Sequence, residues 1–462
     1  MGSSNSKNTV DIFMEIIVKL RNKCISLFKS TFIINIIIVG LITVLVKGFG
    51  FFKEMEVGQT YGLSELLDTF LIASLIPGFV NNVFMVSFQN LFIPNYVAEQ
   101  RQNKNVVGFQ SACFLITLCL GMLLMLISYL ITDLFLEDFY GGHSLDYYQL
   151  IRTQFYIILP CVLFWSFSSL LAGLLEIRGL FYYTSLYTII TSIVTIILLF
   201  FFKKELGANL LAIGLLLGSV LEFLYLLILS FLYKTIHLGK PDFKSKNVKI
   251  LFKQFPSKIG AGFLSGSTGF INQFFAAQLL VGSLASFNYG LKIPSFLVSI
   301  LAIAIGNVVL PYFSNMVYDD RKKAFQVLFR LIFYVFIGSI IVVGLSFVFS
   351  ESIIRILFER KNFTYKDTIV VSNIQQILLL YVPFYISGVI LNKFLTSINK
   401  NEFMFYTSIL NLFLNLLLNY SLAKFYGIYG LAVATTSVSV INFAVLYLVV
   451  YRQNKRINKD RL

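Results

Sequence analysis

Long apolar stretches recur along almost the whole chain, and polar residues are concentrated in the short segments between them. After residue 30, twelve stretches are long enough to cross a bilayer, since a helix of about 20 apolar residues spans its hydrocarbon core. They lie at about 31 to 52, 66 to 95, 107 to 135, 150 to 176, 180 to 202, 207 to 233, 250 to 280, 284 to 315, 326 to 350, 370 to 397, 402 to 424 and 427 to 451. The pattern therefore predicts an all-α polytopic membrane protein with about twelve transmembrane helices.

The first 30 residues have a different pattern. Apolar residues such as Val10, Phe13, Ile17 and Leu20 recur at helical spacing, and charged residues fall between them. This is typical of a basic amphipathic helix that lies on the cytoplasmic surface of a membrane. No compact apolar segment with a small-residue cleavage site precedes it, so we expect no signal peptide.

Lysine and arginine are concentrated in connections that an even number of crossings places on one face. These basic segments are 1–30, 234–253, 319–330 and 453–462. Positively charged connections mark the cytoplasmic side of a membrane protein. Both termini, including the basic tail at 453–462, are therefore predicted to be cytoplasmic.

The chain also repeats itself at a nearly constant offset. Residues of the same type recur 217 positions apart and, further along, 223 positions apart. The pairs are Phe70 and Phe287, Pro77 and Pro294, Pro94 and Pro311, Pro160 and Pro383, Tyr183–Ser185 and Tyr406–Ser408, and Gly207 and Gly430. This predicts two pseudo-symmetric six-helix lobes, 31–233 and 250–452, joined by a basic linker at 234–249. Transporters commonly place substrate between such parallel repeats.

Composition excludes several classes of function. With 57% hydrophobic and 13% charged residues, the chain is far more apolar than a soluble domain, in which about a quarter of residues are charged. The net charge of +15 does not indicate nucleic-acid binding, because no soluble basic domain is present to hold it. Two histidines and four cysteines without CxxC spacing make a zinc or di-iron site improbable, and no cofactor is expected.

Charged residues inside the apolar stretches are the candidate site residues. Lys47, Lys53 and Glu54 lie in or at the end of the first stretch, with Glu56 close behind. Each such charge costs about 2.5–3.5 kcal/mol at the centre of a membrane helix, so a cluster usually faces a protein interior or a watery cavity. Lys47 and Glu54 share a helix face, and Lys53 and Glu56 are three residues apart. Both pairs are predicted to neutralise each other.

The second stretch and its repeat carry further polar residues. Asp68 lies near the start of the second stretch, and Asn82 falls near the same face fourteen residues later, with Pro77 between them expected to bend the helix. In the second half, Lys292 lies about eight residues inside its stretch and has no carboxylate partner there. That depth argues against a lysine that merely reaches to the membrane surface. Lys292 is therefore the strongest single candidate.

The predicted cavity carries a net positive charge. Its lysines exceed its carboxylates by one, which favours an anionic headgroup over an organic cation. A drug or metabolite antiporter of cations would instead need an acidic pocket. A membrane enzyme would show a long loop with clustered Arg, His or acidic residues, and none is visible, so no catalytic residue is assigned. A non-transporting interaction protein built on a transporter scaffold stays a further alternative.

Six motifs are similar to those of a known family. They are KGFGFFKE (47–54), LLDTFLIASLIP (66–77), FIPNYVAE (92–99), GSLASFNYGLKIP (282–294), NVVLPYFSN (307–315) and GIYGLAVATT (427–436). Together they resemble the MviN/MurJ family of lipid II flippases, within the multidrug/oligosaccharidyl-lipid/polysaccharide exporter superfamily. The resemblance covers residues 31 to 452. It implies two lobes around a cationic central cavity with alternating access, which carries an undecaprenyl-diphosphate-linked saccharide across the bacterial cytoplasmic membrane while glycan-assembly enzymes supply the cargo.

The resemblance also assigns residues. It places the family's first-helix cations on Lys47 and Lys53, its second-helix aspartate on Asp68 and its eighth-helix arginine on Lys292. The three lysines keep the charge but lose the fork of arginine that binds phosphate through two bonds. On this reading the three lysines neutralise the phosphates, and Glu54 and Asp68 hold them or exchange partners.

Two features depart from the family pattern. Asn81 and Asn82 stand where lipid II flippases carry an arginine pair, and Val86 lies near the position of a family glutamate. The two asparagines are candidate sugar contacts. The differences leave room for another polyprenyl-linked glycan, such as an exopolysaccharide or O-antigen unit.

Some family members also bind sodium in the second lobe. The matching positions are Asn415, Asn419 and Thr435, with no carboxylate among them. A hard cation ordinarily takes an acidic oxygen ligand. We therefore expect no sodium site, and expect the membrane potential to favour outward movement of an anion.

Overall fold

The structure is a computed structural model that describes residues 31–102, 105–139 and 144–459. The amphipathic helix predicted for residues 1–30 lies outside this range, as does the end of the basic tail. All regular secondary structure in the described residues is helical.

The described residues of the first half form ten α-helices. They are α1 (Thr31–Tyr61), α2 (Glu65–Val80), α3 (Val86–Arg101), α4 (Val106–Phe139), α5 (Leu145–Ile158), α6 (Cys161–Ile177), α7 (Phe181–Leu186), α8 (Ile189–Phe201), α9 (Lys203–Leu206) and α10 (Leu210–Leu232). A π-helical turn at Asn81–Met85 joins α2 to α3, and a 3₁₀ turn at Gly207–Asn209 precedes α10.

In the second half, the residues that the structure describes form seven α-helices. They are α11 (Lys246–Ala277), α12 (Ser283–Asp319), α13 (Arg321–Val348), α14 (Ser350–Phe358), α15 (Tyr365–Leu379), α16 (Val382–Ser397) and α17 (Glu402–Lys459). The long α17 is broken at Gly427, where φ is 55° and ψ is −135°.

The helices of the described residues are compatible with the twelve predicted crossings. Nine stretches of the described residues are apolar and long enough to span a membrane, and the last of them contains both halves of α17. Two further helices, α1 and α11, have 31 and 32 residues and reach about 47 Å at 1.5 Å per residue, which is long enough for the remaining two crossings. The predicted all-α polytopic fold is confirmed.

Three predicted spans are interrupted close to prolines. The span predicted at 150 to 176 is two helices, α5 and α6, which are separated by Leu159 and Pro160. The span predicted at 370 to 397 is likewise divided into α15 and α16, with Pro383 in the first turn of α16. Pro77 lies one turn before the π-helical turn. Proline lacks the N–H that continues an α-helix, so the helix changes its hydrogen bonding around it.

Helices pack mainly with partners from their own half. In the first half α1 contacts α7 and α8, α2 contacts α5, and α10 contacts α6 and α8. In the second half α12 contacts α15 and α16, and α17 contacts α11 and α16. The halves meet where α11 packs along α2 and α3 and where α14 reaches α1. The residue boundaries of the two lobes stay predictions.

Backbone conformation corrects one landmark of the repeat. Gly207 has φ 51° and ψ −127°, nearly the same as Gly427, and each glycine directly precedes a membrane helix. Such a positive φ is accessible mainly to glycine. The structure therefore pairs Gly207 with Gly427, and the predicted pairing with Gly430 is wrong by three residues.

Candidate substrate site between the two halves

Three charged side chains from both halves meet in one cavity. Glu54 of α1 lies 2.7 Å from Nζ of Lys53 and 2.8 Å from Nζ of Lys292, which belongs to α12. Each side chain is about a quarter exposed, so the cluster is partly shielded from water but still accessible to it. Two lysines on one glutamate leave an excess of one positive charge.

The cavity around this cluster has a volume of about 100 Å³. Its remaining wall combines apolar side chains with a few hydroxyl and amide groups from α1, α2, α8, α10 and α12. These residues are Val57, Leu67, Phe70, Leu71, Thr191, Thr195, Leu211, Leu215, Asn288 and Tyr289. Because the wall is mostly apolar, the three charges dominate the field inside, and an anionic group is the ligand that this field favours. We call this space the charged cavity.

The halves are fastened together at one end of the molecule, next to Gly62. Asp68 near the start of α2 is 3% exposed, and its carboxylate accepts hydrogen bonds from the backbone N–H groups of Gly282 and Ala285, the latter at 2.8 Å. These N–H groups lie at the N-terminus of α12, where Gly282 is the N-cap, and the helix has no partners for them. A carboxylate at this position is also favoured by the helix dipole. In this conformation both oxygens of Asp68 are engaged by protein.

A second contact closes the same end. The Asn362 side chain donates to the carbonyl of Thr60 at 2.7 Å, and its backbone N–H donates to the carbonyl of Gln59 at 3.1 Å. Gly62 follows with φ 59°, and a Cβ there would lie 2.4 Å from the Asn362 carbonyl oxygen. The end of α1 is thus held tightly against the segment between α14 and α15. We call this region the Gly62 end.

The ion pairs predicted within the first helix are both wrong. In the described residues Lys53 pairs with Glu54, whereas Glu56 lies 3.8 Å from Lys361 of the second half. Lys47 and Glu54 are separated by about 10.5 Å along the helix axis, too far for direct contact. The carboxylates of α1 therefore face the other half of the protein.

A second cavity of about 180 Å³ lies between α2 and α11. Asn82 of the π-helical turn lines it, together with polar and small residues of both helices. These residues are Ser74, Leu75, Gly78, Phe79, Gly266, Gly269, Phe270 and Gln273. Asn81 is half-buried and does not line the cavity. Only Asn82 of the two predicted sugar contacts therefore reaches a cavity.

Comparison with known proteins identifies the family. The model of the lipid II flippase MurJ family matches residues 57–461. The chain belongs to the MurJ family. The resemblance predicted from its sequence motifs is thereby confirmed, and the chain is a multi-pass protein of the bacterial inner membrane.

Curated relatives agree with this placement. A probable lipid II flippase MurJ of Buchnera aphidicola subsp. Schizaphis graminum is 27% identical over 437 residues, which is 91% of this chain and 83% of the relative. The corresponding protein of Vibrio cholerae is 26% identical, over 89% of this chain and 81% of its own.

Solved structures show the same fold. A lipid II flippase MurJ in an inward closed conformation matches with a TM-score of 0.78 at 23% identity, over 90% of this chain and 87% of its own. An inward-facing multidrug transporter of the MATE family matches with a TM-score of 0.72 at 13% identity, over 92% of this chain and 99% of its own. At these identities the likeness concerns the fold alone.

Lys47, another predicted site residue, is not part of the charged cluster. Its side chain is exposed, lines neither cavity and forms no ion pair with any described residue. Lys47 precedes Lys53 by six residues and points to a different face of α1. Its role as a substrate contact stays a prediction.

The predicted ion-site residues of the second half do come together. Asn272 of α11 accepts hydrogen bonds from Asn415 at 3.0 Å and from Asn419 at 2.7 Å, and it donates to Thr435 at 3.1 Å. Asn415 also accepts from Asn419 at 3.2 Å. Sequence reasoning missed Asn272, whose only signal was a polar residue in an apolar stretch.

This amide cluster does not fit a sodium ion. The side-chain oxygens of Asn272 and Asn415 already accept N–H groups, and the cluster contains no carboxylate. Asn419 Oδ1 is buried without a partner and is the one free acceptor among these three amides. One amide oxygen does not supply the several oxygen ligands that a hard cation requires. The expectation of no sodium site here stays a prediction.

Sequence reasoning also missed part of the charged cavity. Thr191 and Thr195 of α8 and Asn288 of α12 line its wall. Threonine in an apolar helix is common and usually bonds its own backbone, as Thr195 does to the carbonyl of Thr191 at 2.8 Å. Nothing in the sequence distinguished these residues from packing positions.

Proposed function

We propose that the protein is a flippase that moves a polyprenyl-diphosphate-linked saccharide from the cytoplasmic to the outer leaflet of the cytoplasmic membrane. The names of its relatives indicate that this saccharide carrier is lipid II. The observation that carries this proposal is the net positive site at which Lys53 and Lys292, from opposite halves, share Glu54. A diphosphate brings the negative charge and the acceptor oxygens that such a site lacks. The polyprenyl tail stays in the bilayer throughout.

The charged cavity binds the diphosphate by exchange of partners. Without cargo, Glu54 supplies the only anionic partner of Lys53 and Lys292 among the residues lining the cavity. Phosphate oxygens then compete with Glu54 for the same ammonium groups. Lysine meets phosphate as a point charge with rotatable donors, so the site tolerates changes in headgroup position as the protein moves.

Other predicted residues act around this cavity. Asn82 contacts the sugar in the second cavity, and Asn81 supports the turn that carries it. Lys47 attracts the headgroup on entry. Asp68 holds the Gly62 end closed until the cargo is released there. Enzymes that assemble the glycan deliver the cargo from the cytoplasm.

The Gly62 end is the outer face in this proposal, with both chain termini on the cytoplasmic side. The positive-inside distribution of Lys and Arg supports that orientation. Alternating access then consists of opening the Gly62 end while the opposite end closes. An inside-negative membrane potential favours outward movement of an anion by about 2.3 kcal/mol per charge per 100 mV, and we propose it as a driving force. Transport that is unchanged when the potential is collapsed, but follows a sodium gradient, would exclude it.

The alternatives receive less support. An antiporter of cationic drugs needs a pocket that attracts cations, whereas the charged cavity has one excess positive charge. A flippase for exopolysaccharide or O-antigen units shares the diphosphate chemistry, but the family match favours lipid II.

Lys292→Ala tests the proposal. The variant loses one of two cations on the diphosphate, and a hydrogen bond to a charged group contributes about 1.5–3 kcal/mol, so flipping of fluorescent lipid II in proteoliposomes should fall about 10- to 150-fold. Lys400→Ala is the matched control, since Lys400 pairs with Glu402 at the surface. Both variants should express and insert normally. If Lys292→Ala flips lipid II at the wild-type rate, the charged cavity does not bind the diphosphate during transport.

A further inference from the structure

A carboxyl group lies buried in the first half, behind the wall of the charged cavity. Glu222 is near the middle of α10, is 5% exposed, and accepts a hydrogen bond from the Thr191 hydroxyl at 2.6 Å. No lysine or arginine of the described residues forms an ion pair with it. An unpaired charge at this depth costs about 2.5–3.5 kcal/mol, so a neutral carboxyl is favoured whenever a proton is available.

Close helix packing brings this carboxyl to Thr191. Gly218 lies one turn before Glu222 on the same face of α10, and a Cβ there would be 2.7 Å from both Cα and Oγ1 of Thr191. Only a glycine lets α10 approach α8 so closely. The contact between Glu222 and Thr191 is therefore built into the packing of the two helices.

Thr191 connects the buried carboxyl to the charged cavity. Its hydroxyl bonds Glu222 on one side, and the residue lines the cavity on the other, together with Thr195. A hydroxyl both donates and accepts, so it can pass a proton to a carboxylate: it gives its own proton to Glu222 and takes another from a hydronium ion in the cavity, which becomes water. The Thr191 hydroxyl alone thus links the charged cavity to Glu222.

The other groups facing Glu222 carry no charge at neutral pH. They are the phenol of Tyr187, which precedes α8, and the thiol of Cys161 on α6. No charged side chain of α5 or α9, which also pack against α10, interacts with Glu222 among the described residues. A metal cation would need more oxygen ligands than one carboxylate and one hydroxyl.

We propose that Glu222 is a proton-binding site that couples proton movement to the transport cycle. It takes a proton from water through Thr191 while the charged cavity is open to the outer face. It returns that proton by the same route when the cavity is open to the cytoplasm. The proton gradient then adds to the membrane potential as a driving force, and no other reactant is required. This role rests on the proposed function, whereas the proton site itself does not.

The first test addresses the proton site without transport. Infrared spectroscopy of the purified full chain in proteoliposomes should show a carbonyl stretch of a buried protonated carboxyl that titrates reversibly with pH. Glu222→Gln should lose this signal, whereas Glu205→Gln, the same change at an exposed glutamate of α9, should keep it. A signal that survives in Glu222→Gln, or a carboxyl that keeps one protonation state at every pH, would overturn the proposal.

The second test addresses coupling. At zero membrane potential, an inward proton gradient of one pH unit is worth a factor of about ten for one coupled proton, so flipping of fluorescent lipid II should accelerate by up to that factor. Glu222→Gln should still fold and flip but not respond to the gradient, and Glu205→Gln should respond. Thr191→Val removes the hydroxyl and should abolish the response while keeping the infrared signal.

The outcomes separate the two proposals. If the wild type responds to a sodium gradient but not to a proton gradient, or if Glu222→Gln responds like the wild type, coupling through Glu222 is wrong. If the wild type flips no lipid at all, the proposed function fails. In that case the infrared titration still decides whether Glu222 binds a proton.

Discussion

Asp68→Asn should open the Gly62 end. The carboxylate of Asp68 accepts two backbone N–H groups from the N-terminus of α12, and it does so across the contact between the two halves. Asparagine has nearly the same shape but has no charge and presents one N–H₂ group in place of an acceptor oxygen. One of the two bonds is therefore lost, and the other becomes a neutral hydrogen bond.

The magnitude follows from these two bonds. A hydrogen bond to a charged group contributes about 1.5–3 kcal/mol and a neutral one about 0.5–1.5 kcal/mol. The interaction of an anion with the N-terminus of a helix contributes a further 0.3–1 kcal/mol or so. Part of this loss is offset by solvation of the freed groups in the open form. We expect a net loss of about 2–3 kcal/mol for the closed form, which lowers the ratio of closed to open molecules about 30- to 150-fold.

Distances between spin labels measure this change. Leu145 in the first half and Leu280 in the second are both largely exposed near the Gly62 end, at 79% and 86%. Cysteines placed there, with the native cysteines replaced, allow electron–electron resonance in proteoliposomes. Asp68→Asn should shift the distribution to longer distances. The control is Glu65→Gln, the same type of change at an exposed residue of the same helix. An unchanged distribution in Asp68→Asn, or an equal shift in the control, would refute the reasoning.

Three further predictions concern stability, measured as thermal unfolding of the purified protein in detergent. Gly427→Ala should cost about 1–2 kcal/mol, because its φ is 55° although no atom lies near the added Cβ, and Gly430→Ala should cost more, because its Cβ would lie 2.1 Å from the Leu422 carbonyl oxygen. Equal effects would contradict that reasoning. Asn272→Ala should cost about 1–3 kcal/mol, because it leaves the buried amides of Asn415 and Asn419 without their acceptor. Sodium chloride should stabilise the wild type no more than potassium chloride does, and a sodium-specific gain would show that the amide cluster binds the ion.

The hydrophobic pattern predicted where the membrane helices lie, but it did not predict whether each helix is continuous. It predicted a single span at 150 to 176, which the structure divides near Pro160, because hydropathy measures how apolar a segment is and not whether its hydrogen bonds continue. The repeat predicted equivalent halves, but the choice between Gly427 and Gly430 as the partner of Gly207 needed backbone angles. Glycine is common in both segments, so spacing alone could not decide.

Candidate site residues could be predicted, whereas their partners could not. Glu54 and Lys292 were both recognised as charges in apolar helices, yet helical spacing assigned Glu54 to Lys47 of its own helix. Periodicity gives the face of a residue on one helix but not the helix that lies opposite. The structure instead pairs Glu54 with the adjacent Lys53 and with Lys292, which is 238 residues away. The partners of Asp68 are backbone N–H groups, which leave no trace in the sequence.

The position of Glu54 bears on how opening depends on cargo. In the closed form the Glu54 carboxylate pairs with two lysines, one from each half, and all three side chains are only about a quarter exposed. If the halves separate without cargo, Lys292 leaves Glu54, its only anionic partner among the described residues, and an unpaired charge in the membrane interior is costly. A bound diphosphate supplies Lys292 with a replacement that moves with it, so that cost is avoided. We therefore expect empty protein to stay closed at the charged cavity and loaded protein to open, which prevents a futile cycle.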